Sequence, residues 1–330
     1  MALVDVGQFA NRLRGCRVLA LAVTAWLLFL SEDHVLAQPA RSGPTGPSRS
    51  VTVATEPNAG VWLDGILYGK TDTNGRLTIK HVSGGAHTLR VRAAGFKEAS
   101  KPLTAGQSGE LPVALARTTD EAELAFQQGE TLTSVDRQKA AAAFKKAIAL
   151  RPNYIDAQIA LARVYSDAGD FDNAMKAVRA ARKVKPGVAE ISAIEGRLYK
   201  DSGDEAKAIA SFKRAITEGK GFQPEAYTGL GILYKDRAEN VGSEGDLAQE
   251  AANYREAVKY LSAAVKQLGT APDGIVVYQL LGLVYEKQKK YKEAIALYEE
   301  FLCVYPDSAE ATAVQSFITQ IKKQMAEQPE

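Results

Sequence analysis

Two hydrophobic periods divide the chain. From Val51 to about Leu115 apolar residues recur at every second position, as Val51/Val53, Val61/Leu63, Leu77/Ile79, Leu89/Val91 and Val113/Leu115. That spacing sets one face of a strand in a core and the other outside it. Turn residues separate the pairs at Pro57-Asn58, Asp64-Gly65, Asn74-Gly75, Gly84-Gly85 and Gly95, which predicts several short strands packed as a small β-sandwich. Asn-Gly accepts positive φ, so a hairpin turning at Asn74-Gly75 is expected within residues 66–82. Trp62 is out of phase with Val61 and Leu63 and is expected on the opposite face.

After Thr118 the period becomes helical. Thr118 with Glu121 three residues on has the form of a capping box that starts the helical part. A unit of 34 residues then runs twice without a gap, over Ile155–Val188 and Ala189–Phe222. Tyrosine recurs at Tyr165 and Tyr199, a small residue at Ala162 and Gly196, and Gly-Asp at 169–170 and 203–204. Alanine recurs at Ala174 and Ala208, then at Ala181 and Ala215. Upstream, Ala140, Phe144, Ala147 and Pro152 fall in the same phase; downstream, Tyr227-x-x-Leu230-Gly231-x-x-Tyr234 and Tyr278-x-x-Leu281-Gly282-x-x-Tyr285 restate the first helix. Five helical hairpins are predicted, stacked as a solenoid in which no unit buries its apolar face alone. Val314, Phe317, Ile318 and Ile321 form an apolar stripe on a helix suited to cover the last unit.

These marks resemble the tetratricopeptide repeat family, whose first helix reads W-x-x-L-G-x-x-Y and whose second ends in proline, with tyrosine in place of the tryptophan in the last two units. The first unit is the least regular, its Gly129 standing one position late. The resemblance implies that each first helix lines a concave groove through its second, fifth, ninth, twelfth and thirteenth positions. The ninth positions are then Arg163, Arg197, Ile232 and Leu283, the twelfth Ser166, Lys200, Lys235 and Glu286, and the thirteenth Asp167, Asp201, Asp236 and Lys287. Arg163, Arg197, Lys200 and Lys235 thus form a candidate basic ladder for an acidic peptide or a chain-terminal carboxylate. The competing expectation is that Arg163/Asp167 and Arg197/Asp201 satisfy each other as i,i+4 pairs on a solvated helix.

Residues 53–71 and 84–96, VATEPNAGVWLDGILYGKT and GGAHTLRVRAAGF, resemble a PEGA domain, a small all-β module of bacterial surface proteins. The naming tetrapeptide is replaced by Pro57-Asn58-Ala59-Gly60, and Asp72 stands where a proline is usual. The stretch Thr71–Gly75 is also similar to carboxypeptidase-regulatory-like β modules. Either resemblance implies no catalysis. It leaves Trp62 and Tyr68 as the candidate glycan-stacking aromatics of an alternative reading, a glycan- or peptidoglycan-binding module with the helices as spacer.

Residues 1–37 read as an export signal. Arg12, Arg14 and Arg17 precede an apolar run of 13 residues, Val18–Leu30, and Val35-Leu36-Ala37 supplies a cleavage site before Gln38. A span needs about 20 apolar residues, so cleavage is expected; an uncleaved signal anchor is the alternative, and both put 38–330 outside the cytoplasm, in the periplasm or envelope. The expected divisions are a Pro/Gly-rich linker at 38–50, the β module at 51–117, the solenoid at 118–308, and a capping helix and tail at 309–330. The fourth unit carries an insertion of 14 residues at about 235–252, in which Asp246 and Gln249 are expected to cap a helix running to about Leu268.

Net charge is +2 and stays so without residues 1–37, which argues against nucleic acid as partner. Cys303 is left alone after signal removal and is expected to be a buried core residue. His81 and His87 lack a third ligand at metal-site spacing, and the chain carries no nucleophile elbow, phosphate-binding glycine loop or metalloprotease helix. The sequence therefore predicts no metal, no cofactor and no enzyme, but an exported adaptor that binds a protein or peptide partner.

Overall fold

The computed structural model describes residues 49–327, so the expected export signal and most of the expected linker lie outside the described residues. Seven strands come first: β1 (Arg49–Ala54), β2 (Gly60–Leu63), β3 (Ile66–Lys70), β4 (Arg76–Val82), β5 (His87–Arg92), β6 (Ala99–Leu103) and β7 (Gly109–Pro112). They form two sheets, β4-β1-β7 and β3-β2-β5-β6, with β1 and β7 parallel. The alternating residues Val51, Val53, Val61, Leu63, Ile79, Leu89 and Val91 fill the space between the sheets. This is the small sandwich that the period of two predicts.

The hairpin lies elsewhere than expected. β3 and β4 belong to different sheets, and the hairpin is β2–β3, turning at Asp64 and Gly65 with φ of 51° and 85°. The Asp64 carboxylate accepts from the Thr88 amide at 2.8 Å and contacts His87 Nδ1 at 2.7 Å, which ties the turn to β5. Asn74-Gly75 instead makes the crossing between sheets. Asp72 accepts from the Asn74 and Arg76 amides, and Gly75 lies so close to Thr55 that a Cβ would stand 1.9 Å from its carbonyl oxygen. Both turns satisfy the same dipeptide rule; only pairing in space decides which one folds two strands together.

Eleven helices follow: α1 (Glu121–Leu132), α2 (Arg137–Leu150), α3 (Ile155–Asp167), α4 (Phe171–Val184), α5 (Ala189–Asp201), α6 (Glu205–Glu218), α7 (Pro224–Ser243), α8 (Leu247–Leu268), α9 (Gly274–Lys287), α10 (Tyr291–Val304) and α11 (Ala311–Glu327). The cap of α1 is Asp120, not Thr118. Its carboxylate accepts from the Ala122 and Glu123 amides at 2.9 and 3.2 Å, a role a charged acceptor fills better than a hydroxyl. Asp136, Asp170, Asp204 and Asp246 cap α2, α4, α6 and α8 in the same way.

Within a unit the two helices approach through a small residue on the first. A Cβ on Gly129 would stand 2.5 Å from Phe144, on Gly196 2.6 Å from Phe212, on Gly231 2.5 Å from Leu261 and on Gly282 2.3 Å from Tyr298. The aromatic or leucine partner on the second helix takes the vacated space and is buried. First helices also touch from unit to unit, from α3 through α5 and α7 to α9, and form the inner curve of the solenoid. The insertion lengthens both α7 and α8, to 20 and 22 residues, into a projecting hairpin.

α11 closes the stack with Val314, Ile318 and Ile321 buried, while Phe317 stays half in water with its ring 6.1 Å from that of Tyr298. Cys303 is exposed rather than buried. The core face of α10 is set by Ala294, Leu297, Tyr298 and Phe301, and a residue two past Phe301 points about 200° away from it.

Candidate functional site

The β module and the solenoid belong to one compact unit, and the module touches the solenoid near both ends. At the first unit, the guanidinium of Arg92 is 6% exposed and donates to Glu130 at 2.5 Å and to Glu98, with Asp156 at 3.6 Å. Its plane lies 4.5 Å from the Phe126 ring centroid. Gln127 donates to the Phe96 carbonyl and accepts from the Gly95 amide, both at 2.8 Å. Burial pushes the Glu130 carboxyl above the ordinary range although Arg92 pulls it down. At the fourth and fifth units, Ile66 enters the helical core beside Leu268 and Ala271. There Tyr68 donates to the Leu268 carbonyl at 3.4 Å and Thr270 to the Lys80 carbonyl at 2.9 Å.

Between these contacts lies a cleft of about 870 Å³ with two walls. One wall is the outer face of the four-stranded sheet, where the register sets Leu67, Trp62 and Arg90 side by side across β3, β2 and β5. The other is the inner curve of the solenoid, through Arg163, Arg197, Lys200, Ile232 and Val276. The volume is that of a small-molecule or peptide-segment site. Leu67, Phe222 and Val276 are exposed apolar residues that face it, so the cleft carries uncovered hydrophobic surface as well as charge.

Arg163, Arg197, Lys200 and Trp62, which the sequence placed in two rival sites, all line this one cleft. Lys235 and Tyr68 do not line it. Lys235 is held by Asp236 and Glu239, each at 2.9 Å; burial lowers its pKa, and those two carboxylates more than offset that. The phenol of Tyr68 is pushed up to about 12, chiefly by burial and then by Asp64, at the seam with the α8–α9 turn.

The expected i,i+4 pairs Arg163/Asp167 and Arg197/Asp201 do not form; of the four cations only Lys235 has an i,i+4 partner, Glu239. Arg163 donates to Glu190 at 2.9 Å and grips Glu225 through two nitrogens at 2.6 and 3.2 Å, so one guanidinium joins three units. Burial opposes its charge, but Glu225 and Glu190 outweigh this and hold its pKa above the ordinary value. Glu225 is held below the usual carboxylate range by Arg163 against its own burial. Arg197 reaches back one unit to Asp167 at 3.0 Å and Ser166 at 3.2 Å, and Lys200 pairs with its neighbour Asp201 at 2.6 Å. The acids that neutralise Arg163 occupy the second helical position of the next two units. Sequence reasoning named that position as groove-lining without reading its residues, and the signal was Asp156, Glu190 and Glu225 in series.

Trp62 faces away from the sandwich core, as its phase predicts, but it faces the solenoid. Its indole lies against Gly60 and carries Arg90 4.7 Å from its centroid, with Arg92 at 5.5 Å. Among the described residues no group of three or more His, Cys, Asp and Glu is placed to hold a metal, and no helix is long and apolar enough to cross a membrane.

Tetratricopeptide repeat profiles match residues 122–198, 189–218 and 243–311. The helical part is a tetratricopeptide repeat solenoid. Among solved structures, this chain is similar to yeast Tom70 at 20% identity and a TM-score of 0.50, over 63% of this chain and 41% of that one. It is also similar to a chain of the APC/C hetero-tetramer Cut9–Hcn1, at 17% identity and a TM-score of 0.49 over 63% and 38%, and to MamA, at 21% and 0.40 over 58% and 96%. The chain thus spans less than half the length of the Tom70 and Cut9–Hcn1 chains it matches. These likenesses concern the tetratricopeptide repeat fold. No curated protein matches the sequence.

Proposed function

We propose that the protein is a non-enzymatic, exported adaptor that holds a segment of a partner protein in the cleft between the β module and the solenoid. The observation that supports this is the cleft's double wall. It presents uncovered apolar side chains, Leu67 on the sheet wall and Phe222 and Val276 on the solenoid wall, beside the solenoid cations Arg197 and Lys200. A folded domain cannot lie on the inner curve while the sandwich bridges it, whereas one extended or helical segment fits the volume. Arg163 is spent on Glu190 and Glu225, so the charged handle for an acidic or terminal carboxylate is Arg197 with Lys200. Their partners Asp167 and Asp201 are 39% and 51% exposed and can rehydrate when a ligand displaces them. The β module keeps its PEGA-like assignment within this proposal, on the segments 53–71 and 84–96.

Photoreactive residues placed at Leu67, Ile232 and Leu247, one variant at a time in living cells, test the site. The same partner crosslinked from Leu67 and Ile232 supports a two-walled cleft. Adducts only from Leu247, at the tip of the α7–α8 hairpin, would move the site to the insertion. Glycan binding through Trp62 is the second reading, and a sugar would have to displace Arg90 from the indole. Retention on peptidoglycan lost in Trp62→Ala but kept in Arg197→Ala/Lys200→Ala would favour it.

A further inference from the structure

The two contacts that close the cleft differ in kind. At the first unit the chain has no slack. Val113 is buried, Thr118 donates to the Gly95 carbonyl, Lys97 donates to the Ala116 carbonyl, and Phe96 pairs with Arg117 as an isolated bridge. Gln127 and Arg92 add the bonds described above, so the module is both covalently tethered and docked to α1. At the far end no covalent link exists. The contact there rests on Ile66 and the partly buried ring of Tyr68 against the helical core, with a long phenol hydrogen bond at 3.4 Å, one hydroxyl bond, and the ion pair Lys80–Asp307 at 3.4 Å. That ion pair is 61% and 86% exposed, so water screens it.

The surface opposite is rigid by comparison. Tyr305 donates to the carbonyls of Gly269 and Ala271 at 2.9 and 2.8 Å and fixes the α8–α9 turn from behind. A closed ring admits a free chain end by threading but excludes an internal segment of a folded protein. Access for such a segment needs one contact to open, and the weaker one opens first.

We propose that the β module is the movable jaw of the cleft, hinged at α1 and released at the seam between β3 and the α8–α9 turn. Jaw opening then regulates entry to the site proposed above, and it rests on that reading only for its purpose. Jaw motion is measured with no ligand present, so its failure and the failure of the binding proposal are separate results.

The test uses two spin-label distances in the full chain with Cys16→Ser. Cys303, exposed on α10, is paired with Ala105→Cys in the exposed β6–β7 turn to span the seam. Gln138→Cys on α2 with Ala105→Cys, in a Cys303→Ser background, spans the hinge. Cutting the seam with Ile66→Ser, Tyr68→Phe and Thr270→Ala should add a longer and broader population to the seam distance and leave the hinge distance as it was. An unchanged seam distance in a helical, cooperatively melting variant would overturn the jaw, and so would a hinge distance that lengthens first. Should the triple variant lose its helix signal, Tyr68→Phe with Thr270→Val makes the smaller cut, read by the same two distances.

Discussion

Replacing Arg92 by methionine is expected to loosen the β module at its hinge. The methionine stem keeps contact with Phe126 and Trp62, but Glu98, Glu130 and Asp156 lose their common cation. Removing one partner of a fully buried ion pair costs about 3–5 kcal/mol. These carboxylates are 28%, 34% and 41% exposed and recover some hydration, so a loss of about 2–3 kcal/mol is expected. The pH response has a definite sign. Glu130 is already raised by burial, and a carboxyl raised in the folded state adds stability below its unfolded pKa that is lost as pH rises through the folded one. Without Arg92 it rises further, so the deficit is largest near neutral pH and shrinks below about pH 4. Urea unfolding is the assay, with Trp62, the one tryptophan after residue 37, reporting the module and circular dichroism the helices. Arg92→Met/Glu130→Met should regain part of the loss, because both charges of one pair are gone. A neutral-pH change within about 0.5 kcal/mol, or a deficit that grows in acid, would refute the account.

Three further outcomes are expected. The turn into α10 carries Lys289 at φ 55° and Lys290 at the cap position with no side-chain cap bond, where the three preceding units have Gly-Asp with glycine at φ 71°, 81° and 88°. Lys289→Gly/Lys290→Asp should raise stability by about 1–2 kcal/mol in a thermal melt; the aspartate's share should be lost as pH falls from about 4 through its lowered folded pKa, while the glycine's share stays. Gly229→Ala should cost about 1–2 kcal/mol despite better helix propensity, because its Cβ would stand 2.3 Å from Phe212, a ring that also closely abuts Gly196; Phe212→Leu in that background should recover part of it. Intact-mass measurement on protein recovered from its native cells should show a chain starting at Gln38, and retention of Met1 or Ala2 in membranes would mean an anchor.

Features that depend on near neighbours along the chain were legible in the residues alone. The period of two laid out the sandwich core from Val51 to Val113. The 34-residue period placed Gly196 against Phe212 and Gly231 against Leu261, because one unit's two helices meet within a few tens of residues. Aspartates before helices were legible in part, Asp246 among them, since a cap is satisfied by amides two or three positions on. Features that depend on pairing across larger separations were set by how the chain packs in space. That packing moved the hairpin from Asn74-Gly75 to Asp64-Gly65, since strand partners are chosen by sheet order, to which a turn dipeptide is blind. It sent Arg163 to Glu225, 62 residues away, and Arg197 back one unit to Asp167. It also turned Trp62 from a surface aromatic into one wall of a cleft. Its phase fixes which face it occupies, and only the docking of Arg92 on α1 and Ile66 on the fourth and fifth units determines what lies opposite.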